Sequence, residues 1–119
     1  MPWSLAEYGS VVTKFLAGCS KEMLDAFDAR ASILVDRGNA CRYPVSEHLQ
    51  DGIYELRVRA GNNESRFLYY FGEHRTIVFV SAFFKKTRKT PAGETRRAIQ
   101  KRAAIKSEEE VVHGFRQVN

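Results

Sequence analysis

The sequence predicts an α+β domain in which N-terminal helices pack on an antiparallel sheet with a three-stranded meander, followed by a basic C-terminal helix. Three observations lead there. Apolar residues recur at helical spacing between Val11 and Leu34, the period changes to two between Ile53 and Phe84, and Thr90-Pro91 introduces a final stretch of helical, basic character. A chain of 119 residues that is 44% hydrophobic has the size of one domain and can bury one core. Residues 1–106 are therefore read as a single domain and 107–119 as a tail.

Trp3–Tyr8 reads as a short strand, with a helical turn as the alternative. Ser10 is the expected N-cap of the helix carrying Val11, Val12, Phe15 and Leu16, and Gly18 interrupts it. Ser20 is placed to cap a second helix, whose Met23, Leu24, Phe27, Ala31 and Leu34 form one apolar stripe, and Gly38 ends it as a C′ glycine does. Asn39–Gly52 reads as a polar connection. Ile53–Arg59, Ser65–Phe71 and Thr76–Phe84 are rich in aromatic and branched residues, and the short connectors between them predict hairpins. Thr90 then serves as a cap, Pro91 as the first helical residue and Glu94 as a first-turn carboxylate of a helix reaching about Ile105. The segment from Ser107 either extends that helix or frays.

The net charge of +5 is unevenly distributed. Residues 1–51 carry five Lys/Arg against seven Asp/Glu, residues 52–84 four against three, and residues 85–119 ten against four. Such a localised basic excess is the footprint of a surface that holds a polyanion, although a merely solvated face has the same composition. No stretch has the length and apolarity of a membrane span, and the N-terminus lacks the basic start and apolar run of a signal peptide, so a cytoplasmic protein with no membrane partner is expected. Cys19 and Cys41 read as small buried thiols. The dispersed His48, His74 and His113, with no C-x-x-C pair, predict neither a metal site nor a cofactor.

In the first hairpin strand Tyr54, Leu56 and Val58 alternate with Glu55, Arg57 and Arg59, which places the charged residues on one face. Arg66 opens the next strand, and Lys85, Lys86, Arg88 and Lys89 follow the third. Few carboxylates and no histidine accompany these cations, so a metal-free reaction would need its nucleophile from the substrate. The 2′-hydroxyl of RNA supplies one and DNA does not. Crowded positive charge also lowers a lysine toward the range useful for a general base.

The run Leu49-Gln-Asp-Gly-Ile-Tyr-Glu-Leu-Arg57-Val, then Ser-Arg66-Phe-Leu-Tyr-Tyr-Phe, then Phe83-Phe-Lys85-Lys86-Thr-Arg-Lys-Thr-Pro91, resembles the phage-derived, HigB-like branch of the RelE toxin superfamily. The resemblance covers roughly residues 10–105. It implies a RelE-like fold and the toxin of a type II toxin-antitoxin system, an endoribonuclease that cuts mRNA, usually on the ribosome, and so inhibits translation. It further implies neutralisation by a cognate antitoxin, expected to be a helix-turn-helix protein from the adjacent gene, with operator DNA bound only by the toxin-antitoxin complex.

Carried over position by position, the resemblance implies that Lys85 or Lys86 assists the 2′-hydroxyl or the leaving group while Arg57 and Arg66 hold the scissile phosphate. Arg59, Arg88, Lys89, Arg96, Arg97 and Lys101 would make further RNA contacts, with Phe83 or Phe84 stacking on a base. Glu55 stands where the best-known RelE toxins carry a lysine, and no tyrosine follows Lys86. A non-catalytic nucleic-acid-binding or co-repressor module, or an inactive remnant serving as an interaction domain, are the alternatives.

Overall fold

The computed structural model describes residues 2–86 and 89–105, together with the backbone of 111–113. Its elements are β1 (Ser4–Tyr8), α1 (Val11–Ala17), α2 (Lys21–Arg37), a 3-10 turn (Gly38–Ala40), β2 (Ser46–Gln50), β3 (Ile53–Ala60), β4 (Asn63–Gly72), β5 (Thr76–Phe84), α3 (Ala92–Ala104) and β6 (Val111–His113). The strands form one sheet in the order β2-β3-β4-β5-β1-β6. All neighbours are antiparallel except β1 and β5, which run parallel with Ser4 opposite Thr76. This α+β arrangement is consistent with a RelE-like fold.

Local chemistry explains most of the elements. In α2 the Ser20 hydroxyl accepts from the Met23 amide, and Met23, Phe27, Ala31 and Leu34 are buried. Gly38 ends the helix at φ +54°, ψ −126°, and the Trp3 indole occupies the space a Cβ would need, so both backbone and packing require glycine there. The Ser10 side chain, in contrast, makes no cap hydrogen bond. The buried Glu7 of β1 caps α1 instead, accepting from the Val12 amide at 2.8 Å and the Thr13 amide at 3.0 Å and also from the Thr13 hydroxyl.

The meander has four strands, not three. The stretch read as a polar connection contains β2, which pairs with β3 through a turn at Asp51-Gly52. Both turn residues have positive φ, +50° and +78°, as a tight type I′ hairpin needs. The strand escaped the hydrophobic pattern because it is the sheet edge and carries Glu47, His48 and Gln50, largely exposed. The β3–β4 hairpin is likewise tighter than the connector suggested, with Ala60 paired to Asn63 across Gly61-Asn62.

The two faces of the sheet carry separate cores. On one, α1 and α2 cover Leu56, Phe67, Tyr69, Ile77 and Phe79, where Phe27 meets the Phe67 ring at 4.7 Å. On the other, α3 lays Ala98 against Ile53, Leu68, Val78 and Val80. One expectation about α3 is corrected. Its N-cap is Pro91, and the Thr90 hydroxyl is directed away from the helix to Glu55. The helix runs to Ala104 with Ile105 as its C-cap, close to the expected end, and the backbone of Val111–His113 pairs with β1.

Candidate functional site

The α3 face of the sheet is only partly covered, and the charged residues of β3 and β4 converge on its open end. Strand alternation puts Glu55, Arg57 and Arg59 on this face, and register sets Arg57 directly opposite Arg66 and Arg59 opposite Glu64. Lys85 continues the ladder beyond β5, its amide donating to the Glu64 carbonyl at 2.8 Å. The residues expected to act together, Arg57, Arg66 and Lys85, are thus brought to one place by cross-strand pairing.

Carboxylates interleave with these cations. Arg57 lies 3.3 Å from both Glu47 and Glu55, with its side chain about one-fifth exposed (22%). Arg66 is almost completely buried, at 1% exposure, with Nε 3.5 Å from Glu55 and Nη2 3.6 Å from Glu64. Those contacts are ionic in range but lack hydrogen-bond geometry, so Nε and Nη2 have no hydrogen-bond partner, whereas Nη1 donates to the Ser65 carbonyl. Burial, followed by the nearby Arg57, lowers the Arg66 guanidinium from its ordinary pKa. Partial burial, followed by the charge of Arg66, likewise lowers the Lys85 ammonium. Glu55 is the hub, since it faces both arginines and accepts the Thr90 hydroxyl.

Glu55 stands on the charged face that the alternation of β3 predicted, yet it is buried. Thr90, just before α3, donates its hydroxyl to Glu55, and the Arg66 guanidinium lies beneath the surface rather than on it.

Beside Arg57 opens a cleft of about 490 Å³, bounded by Glu47, Leu49, Glu55, Lys89, Thr90 and Thr95. A second, of about 330 Å³, lies at the sheet edge between the turn before β2 and the His48 and Tyr54 side chains. Among the described residues no group of three His, Cys, Asp or Glu is placed to hold a metal ion. No helix among them is long and apolar enough to cross a membrane.

The remaining residues singled out from sequence scatter around this centre. Lys86 is exposed beside Lys85, and Lys89 lines the larger cleft. Arg59 is exposed and donates from Nε to the Gly61 carbonyl at 3.1 Å. Arg96 is exposed on α3, Arg97 pairs with Glu94, and Arg88 lies outside the described residues. Lys101 does not project into solvent. Its ammonium donates to the Val80 carbonyl at 2.8 Å, where the β4–β5 register shifts. Phe83 packs into the α3-side core, and Phe84 turns to the opposite face, where its ring meets Phe15 at 4.7 Å.

Two participants were missed in the sequence, Glu47 and Thr90. The Asp51-Gly52 hairpin signal would have found the first, because it implies a strand before it that carries Glu47 beside Glu55. Nothing local indicated that Thr90 would reach Glu55, 35 residues earlier.

Comparison with curated proteins finds no match. Residues 14–103, which hold both hairpins of the site and most of α3, match the family described as Phage derived protein Gp49-like (DUF891). That match spans well over half of the 119 residues and contains the whole Arg57, Arg66 and Lys85 cluster, so the chain belongs to the phage-derived Gp49-like family, a family associated with RelE-like toxins.

Proposed function

We propose that the protein is the toxin of a type II toxin-antitoxin system, of the HigB-like branch of the RelE superfamily, and cleaves mRNA without a metal ion. The observation that carries the reading is the gathering of Arg57, Arg66 and Lys85 on one face beside an open cleft. In this reaction neutral Lys85 takes the proton of the 2′-hydroxyl, and the resulting oxygen attacks the adjacent phosphorus. The bond from phosphorus to the 5′-oxygen breaks, leaving a 2′,3′-cyclic phosphate, and the exposed Lys86 returns a proton to the leaving oxygen. Arg57, which reaches the surface, holds the phosphate as charge develops on it. Arg66 acts from below as a positioning residue, its charge adding to the effect of burial in lowering the Lys85 ammonium. The antitoxin, an acidic or helical protein encoded alongside, covers the same face.

The burial of Arg66 and its pairing with Glu55 and Glu64 favour a second reading, a module that binds nucleic acid without cutting it. Single-turnover cleavage of RNA, free and on translating ribosomes, separates the two. Replacing Lys85 or Arg57 with Ala should slow cleavage by roughly 100-fold or more, as expected for groups acting mainly in the transition state. A 2′-deoxyribose at the scissile position should abolish it, and EDTA should leave it unchanged. Cleavage of the deoxy substrate, or parental rates in both variants, would refute the mechanism. Binding without any cleavage would establish the second reading.

A further inference from the structure

We infer that Tyr43 is the base-stacking residue of this site, receiving the nucleobase beside the phosphate that Arg57 holds. The inference rests on the reading of Arg57 as a phosphate contact. Among the described residues Tyr43 and Phe84 are the exposed large hydrophobics, Tyr43 at 67% and Phe84 at 47%. Phe84 leans on Phe15 on the face away from the cations. Tyr43 instead lies against Arg57, whose Cζ sits 4.9 Å from the ring centroid.

The turn that carries the ring is tied down by backbone hydrogen bonds. The amides of Val45 and Ser46 both donate to the Arg42 carbonyl at 3.1 Å, and the Arg57 amide donates to the Val45 carbonyl at 2.9 Å, tying the turn to β3. A cation on one side of an exposed aromatic ring leaves the rest of the ring free to stack, and a rigid mount limits the entropy lost when it does. Tyr43 also borders the 330 Å³ cleft, which Asn39, Arg42, Glu47 and His48 help to line. That volume falls in the range of small-molecule sites, roughly 300–1,000 Å³. Stacking on Tyr43 therefore supplies affinity, and the cleft beside it supplies base preference.

The test uses the full chain and a short single-stranded 2′-O-methyl oligoribonucleotide carrying one 2-aminopurine, whose fluorescence falls when it stacks. The parent should bind with marked salt dependence and quench the probe. Tyr43→Phe should match it. Tyr43→Leu, which keeps bulk but has no π face, should lose the quenching and bind roughly 5- to 150-fold more weakly, the range for one lost base–aromatic stack. An oligonucleotide abasic at that position should bind the parent and Tyr43→Leu equally. Full affinity and quenching in Tyr43→Leu, with Arg57→Ala impaired, would overturn the inference while leaving the RNA reading intact. So would a Tyr43→Leu protein that binds RNA normally but fails to bind the protein encoded beside it, since Tyr43 would then be a protein contact. Failure of the parent to bind the probe at all would overturn the reading of this face as an RNA site, and this inference with it.

Discussion

Replacing Glu55 with Gln keeps the volume of the side chain and its ability to accept the Thr90 hydroxyl but removes its charge. Two arginines lose a carboxylate, Arg57 at 3.3 Å and Arg66 at 3.5 Å. At an effective dielectric near 20, each contact is a Coulomb attraction of about 5 kcal/mol before the cost of desolvation. Each arginine retains one partner, Glu47 for Arg57 and Glu64 for Arg66. The net loss should therefore fall near or below the ~3–5 kcal/mol that follows from breaking a buried pair, at about 3 kcal/mol. Arg66 carries most of it, because it is 1% exposed and its Nε and Nη2 have no hydrogen bonds to fall back on. In urea, with a slope of ~1–3 kcal/mol/M for a small domain, the unfolding midpoint should drop by ~1–3 M. Glu47→Gln, on a side chain 47% exposed, should cost under ~1 kcal/mol. Adding Arg66→Met to Glu55→Gln should recover part of the loss, since the orphaned charge is then gone. A Glu55→Gln midpoint unchanged from the parent would show that Glu55 does not hold the buried arginine.

Three further outcomes are expected. Gly38→Ala should lower the melting temperature and disturb Trp3 fluorescence, because φ +54° with ψ −126° strains any side chain by about 1–3 kcal/mol and the new methyl meets the indole. Burial raises the Tyr69 phenol, which shares a 2.5 Å hydrogen bond with Ser46, so it stays protonated in the folded protein at pH values where the unfolded chain ionises. Its stabilisation is full below the unfolded pKa of about 10 and is lost as pH rises above it, so Tyr69→Phe should flatten the alkaline fall in stability seen by denaturation at stepped pH. Cleavage by the parent, if Lys85 is the base, should rise with pH to a plateau set by a pKa below the ordinary lysine value, since burial and Arg66 lower it, and Arg66→Met should move that plateau to higher pH.

Periodicity and caps made much of this fold legible in advance. The α2 stripe from Met23 to Leu34, the Ser20 cap, the Gly38 stop and the three strands after Ile53 each rest on residues close in sequence, which is where propensity and hydrophobic spacing act. The cation positions Arg57, Arg66 and Lys85 were legible too, because strand alternation and short hairpins nearly determine which side chains share a face. Contacts between distant segments were not. That Glu7 rather than Ser10 caps α1, that Thr90 reaches Glu55 instead of capping α3, and that Lys101 meets the Val80 carbonyl all depend on how helices lie against the sheet. The edge strand β2 leaves Glu47, His48 and Gln50 largely exposed, so it carries little apolar alternation, and only its Asp51-Gly52 turn betrayed it. Sequence determined which charges share a face of the sheet. Tertiary packing decided that Glu55 and Arg66 lie beneath that face while Arg57 and Tyr43 reach the surface, because burial depends on what crosses above a residue and not on its neighbours along the chain.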